Sequence, residues 1–116
     1  MLGAVLETTG RKSEALDANQ TAVALSPQDD AAHYNLGNTF KELGRFDEAI
    51  TSYTQAIALK PDFAQAHYNL GNTLKEVGKF DDALASYTQA IALKSDFVQA
   101  HYNLGNTLKE LGKFDD

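Results

Sequence analysis

A chain of 116 residues is one domain's worth of sequence. Its net charge of −6, with no basic stripe, excludes nucleic acid as a natural partner, because phosphate neutralisation needs clustered Lys and Arg. With no cysteine there is no disulfide framework or thiolate metal site, and no apolar run reaches membrane-spanning length, so a cytoplasmic location is expected.

The opening stretch, Met1 to Leu6, carries no basic leader and turns polar at Glu7, which argues against a secretory signal. From there the chain is organised by repetition. The heptapeptide His-Tyr-Asn-Leu-Gly-Asn-Thr starts at His33, His67 and His101, and 67 − 33 = 101 − 67 = 34 residues. That period belongs to stacked helix pairs rather than to one globular core. It divides the chain into a degenerate partial unit over 1–29, units over 30–63 and 64–97, and a partial unit over 98–116 that lacks its second helix.

Apolar residues recur at helical spacing, as in Leu36, Phe40 and Leu43 and then Phe46, Ala49, Ile50 and Tyr53. The spacing predicts helices over 1–9, 12–25, 30–43, 46–59, 64–77, 80–93 and 98–111, and no strand. Gly10, Gly44, Gly78 and Gly112 each follow an apolar helical stretch, where glycine can take the left-handed conformation that ends a helix. Gly3, Gly37, Gly71 and Gly105 lie mid-helix and imply close approach of a second helix, with Ala15, Ala49 and Ala83 as the expected contacts. Pro27 and Pro61 end second helices. Ser95 stands at the third such place, so that junction is expected to be less rigid. The Asp-Asp pairs at 29–30, 81–82 and 115–116 read as helix caps.

The pattern resembles the tetratricopeptide repeat. In the first full unit its signature places are His33, Leu36, Gly37, Phe40, Gly44, Phe46, Ala49, Tyr53, Ala56 and Pro61. The resemblance covers nearly the whole chain and implies an all-α fold, a right-handed α-solenoid of about three and a half stacked helix pairs. Departures are His for the common Trp, Ser95 for Pro, and Lys12 and Asn19 for aromatics in the first unit, whose end is therefore expected to pack loosely. The stretch Asn-Leu-Gly-Asn-Thr-Leu-Lys-Glu is similar to repeats of the superhelix attached to O-linked N-acetylglucosamine transferases. There, an asparagine ladder is associated with holding extended protein substrates, and the matching positions are Asn35, Asn69 and Asn103.

Helical rotation sets His33, Leu36, Gly37 and Phe40 on one face of the first helix and Tyr34, Asn35, Asn38 and Lys41 on the other. Stacking makes ladders of that second face, with Tyr68, Asn69, Asn72 and Lys75 and then Tyr102, Asn103, Asn106 and Lys109. Asparagine offers donor and acceptor together, which suits the backbone of an extended peptide. Duplication alone would copy the same residues as a solvated face. The tyrosines would serve equally as packing between neighbouring first helices. The histidines are expected on the packing face, too far apart to share a metal. No nucleophile–base pair, phosphate loop or paired-carboxylate site is visible, so no catalysis, cofactor or metal is expected.

The sequence thus points to a protein-interaction scaffold that binds a peptide or partner segment along this face. Two alternatives stand beside it. One is self-assembly into a homo-oligomer through open repeat ends, since Leu104, Leu108 and Leu111 lack a covering helix. The other is a substrate-holding part of a larger transferase.

Overall fold

The computed structural model describes the backbone of residues 2–115 and the side chains of residues 10–112. Six helices follow one another: α1 (Leu2–Leu25), α2 (Asp30–Glu42), α3 (Phe46–Leu59), α4 (Ala64–Glu76), α5 (Phe80–Leu93) and α6 (Val98–Asp115). Extents of 45 × 38 × 23 Å make a slab about two helix diameters thick.

The helix pairs α2–α3 and α4–α5 are closed by the same turn. Gly44 and Gly78 adopt φ of 74° and 82°, which a residue with a Cβ resists. Arg45 N–H then reaches the Phe40 carbonyl at 2.8 Å and Gly44 N–H reaches that of Lys41 at 3.0 Å, satisfying carbonyls the helix end would leave bare. The second copy repeats this, with Lys79 donating to Leu74 at 2.9 Å.

Gly10 and Gly112 behave differently from the expectation that they end helices. Both lie inside continuous helices, α1 of 24 residues and α6 of 18, and neither has a positive φ. A glycine turn is stable when a second helix folds back and buries apolar surface. In the two pairs that do turn, the second helix packs closely on the first, with Tyr53 over Gly37 and Tyr87 over Gly71.

The closest approach at Gly37 and Gly71 is made by tyrosine rings. A Cβ on Gly37 would lie 2.7 Å from the ring of Tyr53, and one on Gly71 would lie 2.8 Å from that of Tyr87. Both rings are fully buried, beside Leu36 and Phe40 or beside Leu74. The clusters run across unit boundaries. Leu70 packs on both, and Ile50 and Leu104 join the second from neighbouring units. Leu104 is therefore half-buried rather than bare, while Leu108 is 53% exposed.

At the third junction Ser95 reproduces the proline geometry. Lys94 N–H bonds Ala90 at 2.9 Å and Phe97 N–H bonds Lys94 at 3.1 Å, as Lys60 and Phe63 do around Pro61. The junction thus makes the same backbone hydrogen bonds as the one at Pro61. Each histidine, half-buried or exposed, donates Nε2–H to a carbonyl of this loop: Pro27, Pro61 and Ser95, at 2.9, 3.0 and 2.9 Å. These rings therefore fasten the incoming loop. Of the acidic pairs, Asp29 caps α2 by accepting from Ala31 N–H at 3.0 Å. Asp81 and Asp82 sit in the first turn of α5, after the cap position at Lys79, where they favour the helix dipole instead. Asp115 ends α6, and Asp116 lies outside the described residues.

Candidate functional site

First helices come close in sequence, α2 with α4 and α4 with α6, whereas the backbones of the second helices α3 and α5 stay farther apart. The stack therefore curves with α2, α4 and α6 on its inner side. The outer side holds an open apolar cleft of about 240 Å³ between α3 and α5, lined by Ile57, His67, Leu70 and Ser86 among others.

On the inner side, the asparagines divide into two kinds. Asn69 is buried, and its amide hydrogens go to Tyr34 Oη at 3.0 Å and Asn38 Oδ1 at 2.9 Å across the unit boundary. Its own Oδ1 accepts from Gln65 at 3.3 Å. Asn103 repeats the pattern onto Tyr68 at 2.9 Å and Asn72 at 3.0 Å. The amide N–H groups of these two are thus consumed in fastening one unit to the next. Asn35, the first of the ladder, is exposed.

Asn38 and Asn72 are the other kind. Asn38 Oδ1 accepts from both Tyr53 Oη, at 2.5 Å, and Asn69 Nδ2. Asn72 Oδ1 accepts from Tyr87 Oη, at 2.6 Å, and from Asn103. Two donors on one oxygen fix which way each amide faces. Each Nδ2 is left with two hydrogens and no partner among the described residues, and no such unpartnered atom there is buried. The tertiary network thus leaves the amide donors of Asn38 and Asn72 unpaired among the described residues.

Tyr34 is packed, with its ring 4.8 Å from Phe63 and 6.0 Å from Tyr53. Tyr68 is packed in the same way on Phe97 and Tyr87. Their hydroxyl oxygens accept from Asn69 and Asn103, which leaves the hydroxyl hydrogens available. Tyr102 is 71% exposed and Asn106 half-buried on the last helix. Lys41 and Lys75 are half-buried beside this row and Lys109 is exposed. Burial lowers the Lys41 pKa, against the pull of Glu76 and Glu42. Burial, reinforced by the neighbouring Tyr34, raises that of Tyr53, and burial with Tyr68 does the same for Tyr87. The inner face is therefore rich in donors: amide, hydroxyl and ammonium.

Sequence reasoning placed all these residues on one face but could not sort them. The Tyr53–Asn38 and Tyr87–Asn72 bonds join residues 15 apart, and the Asn69–Asn38 and Asn103–Asn72 bonds residues 31 apart, so no local pattern announces them. Asn19, in the place of Tyr53, is half-buried and donates to Thr39 Oγ1 at 2.6 Å, so a polar bond joins the first unit where a ring joins the others.

A stack of antiparallel helix pairs with a 34-residue period and a concave first-helix face defines a helix-repeat solenoid. The model of the TPR repeat matches residues 8–44, 37–78 and 71–112, and the chain belongs to that family. A comparison with curated proteins finds no match. Among solved structures, the crystal structure of MamA is similar with a TM-score of 0.86 and 28% identity, over 96% of this chain and 65% of that one. The O-GlcNAc transferase of Thermobaculum terrenum, a mutant form, is similar with a TM-score of 0.79 and 31% identity over 85% of this chain, which spans only 19% of that structure. The first TPR of Spaghetti (RPAP3), bound to an HSP90 peptide, shares the fold with a TM-score of 0.86 at 20% identity, over 95% of this chain and 87% of that one. Among the described residues no helix is long and apolar enough to cross a membrane.

Proposed function

We propose that this chain is a non-catalytic interaction scaffold that holds an extended, acceptor-rich peptide along its inner face. The observation that carries the reading is the orientation of Asn38 and Asn72, whose oxygens each accept from two donors while their amide nitrogens have no partner among the described residues and are not fully buried. Donors repeating once per unit suit the carbonyls of an extended backbone, and Lys41 and Lys75 favour acidic side chains alongside. The MamA and Spaghetti structures support a scaffold of this shape, and the peptide on Spaghetti supports a peptide as the kind of ligand. In this reading Asn69, Asn103, Tyr34 and Tyr68 position the row, while Asn35, Asn106, Tyr102 and Lys109 extend it at its two ends.

The test is selection from a library of displayed linear peptides, followed by affinity measurement on the double variant Asn38→Asp/Asn72→Asp. Aspartate keeps the oxygen that accepts from tyrosine and asparagine, so the fold survives, but it replaces each unpaired donor by an acceptor. Loss of one hydrogen bond per site, at about 1 kcal/mol each, weakens binding by roughly fivefold per site. Peptides that bind the variant as tightly as the parent overturn the reading, as does a library that yields none.

A further inference from the structure

The inner face offers a ligand donors while its amide oxygens are already in use. The amide nitrogens of Asn38 and Asn72 have no partner among the described residues and are not fully buried, yet each oxygen already accepts from two donors. The Asn69 oxygen accepts from Gln65. One helical turn before Asn38 and Asn72 stand Tyr34 and Tyr68, whose hydroxyl oxygens accept from the next unit and whose hydrogens are left over. Two carboxylates near the row, Glu42 and Glu76, attract the Lys41 ammonium. An ordinary backbone carries one N–H for every C=O, so its N–H groups would lose water here and meet amide oxygens already engaged. Proline brings the C=O alone.

We propose, resting on the peptide reading above, that the segment held on the inner face is proline-rich and lies there as a polyproline II helix. The spacing of the donors agrees with this. Cα atoms of α2 and α4 come within 8 Å of each other, and packed helices stand about 8–10 Å apart, so the donors recur at about that step. Polyproline II has three residues per turn at about 3.1 Å each, so one carbonyl in three lies along a given edge about every 9 Å. One donor per unit then meets one carbonyl per turn. A β-strand aims carbonyls to one side about every 7 Å and falls out of step with the units. The rings complete the fit. Tyr34 on Phe63 and Tyr68 on Phe97, each pair at 4.8 Å, set one half-buried tyrosine per unit beside the amides. Such rings give pyrrolidine a flat apolar surface, as in the aromatic-lined grooves that take proline-rich segments. Asn38, Asn72, Tyr34 and Tyr68 all belong to the two complete units, 30–63 and 64–97.

Fluorescence anisotropy tests this with three labelled peptides of about 12 residues, four polyproline II turns. One is oligoproline, one alternates Gly and Ser, and one is oligosarcosine, which has neither N–H groups nor a fixed helix. Oligoproline binds roughly tenfold more tightly than the Gly-Ser peptide, with oligosarcosine between them, because it has no N–H to leave unpaired and is ordered beforehand. The double variant Asn38→Asp/Asn72→Asp, checked for helicity, weakens oligoproline by roughly 25-fold, about fivefold at each site. If it loses helicity, Asn72→Asp alone takes its place, with the fivefold loss. Oligoproline that binds no more tightly than the Gly-Ser peptide, or equally to parent and variant, overturns the proposal. The peptides selected from the library separate this from the scaffold reading. If they depend on Asn38 and Asn72 yet lack proline and weaken when their backbone is N-methylated, the scaffold reading stands and the proline-rich class is wrong. If none depends on those asparagines, both fall.

Discussion

Replacing Gly71 with alanine separates two opposing effects whose sizes the structure fixes. Alanine in a helix interior is favoured over glycine by about 1 kcal/mol, so on propensity alone the change stabilises. Here, however, the new Cβ would stand 2.8 Å from Cε1 and 2.9 Å from Cδ1 of Tyr87, well inside contact distance. The ring cannot swing aside at little cost. It is fully buried, lies 6.0 Å from the Tyr68 ring, and is tethered through its hydroxyl to Asn72 at 2.6 Å. Overpacking of this kind costs about 1–3 kcal/mol, and disturbing the tether adds about 1. The net expectation is destabilisation by about 1–3 kcal/mol, read as a lower urea midpoint. Gly105→Ala is the control, helical but with nothing within 4 Å, and it gains up to about 1 kcal/mol in local stability by hydrogen exchange. In a double-mutant cycle with Tyr87→Ala, most of the Gly71→Ala penalty disappears. A Gly71→Ala protein as stable as the parent would refute the argument, because the ring would then have room that the geometry denies it.

Three further outcomes follow from the same contacts. Asn69→Ala leaves Tyr34 and Asn38 without their shared donor and costs about 1–3 kcal/mol, whereas Asn35→Ala, at an exposed site, stays within about 0.5; paired urea titrations compare them. Ser95→Pro should stabilise by about 0.4–1 kcal/mol in the same assay, since the backbone there matches that around Pro61 and no hydrogen bond from Ser95 N–H is lost. Tyr53 and Tyr87 have pKa values raised by burial, so the folded state holds their protons more tightly than the unfolded chain does. That contribution is complete below the unfolded tyrosine value of about 10 and is lost as pH rises above it, so thermal midpoints should fall beyond about pH 10. Midpoints that hold steady from pH 9 to 11.5 would contradict this.

The array was legible in the sequence because its determinants are local. The 34-residue period, the apolar spacing and the turn glycines at 44 and 78 depend on residues within one or two turns of each other, and the four internal helices fall within a residue of their expected bounds. Family likeness followed from the same short motifs. What tertiary structure alone decided concerns identical residues in different surroundings. Gly44 turns the chain at a φ of 74°, whereas Gly10, at the same place of its unit, stays within a continuous helix. Asn69 and Asn38 share one face of neighbouring helices, yet the first has both amide hydrogens engaged and the second has neither, because Asn38 is held through its oxygen by Tyr53 of its own unit and Asn69 of the next. A repeat copies residue types. The stacking of one unit on the next assigns each copy its hydrogen bonds, and with them the groups left to meet a ligand.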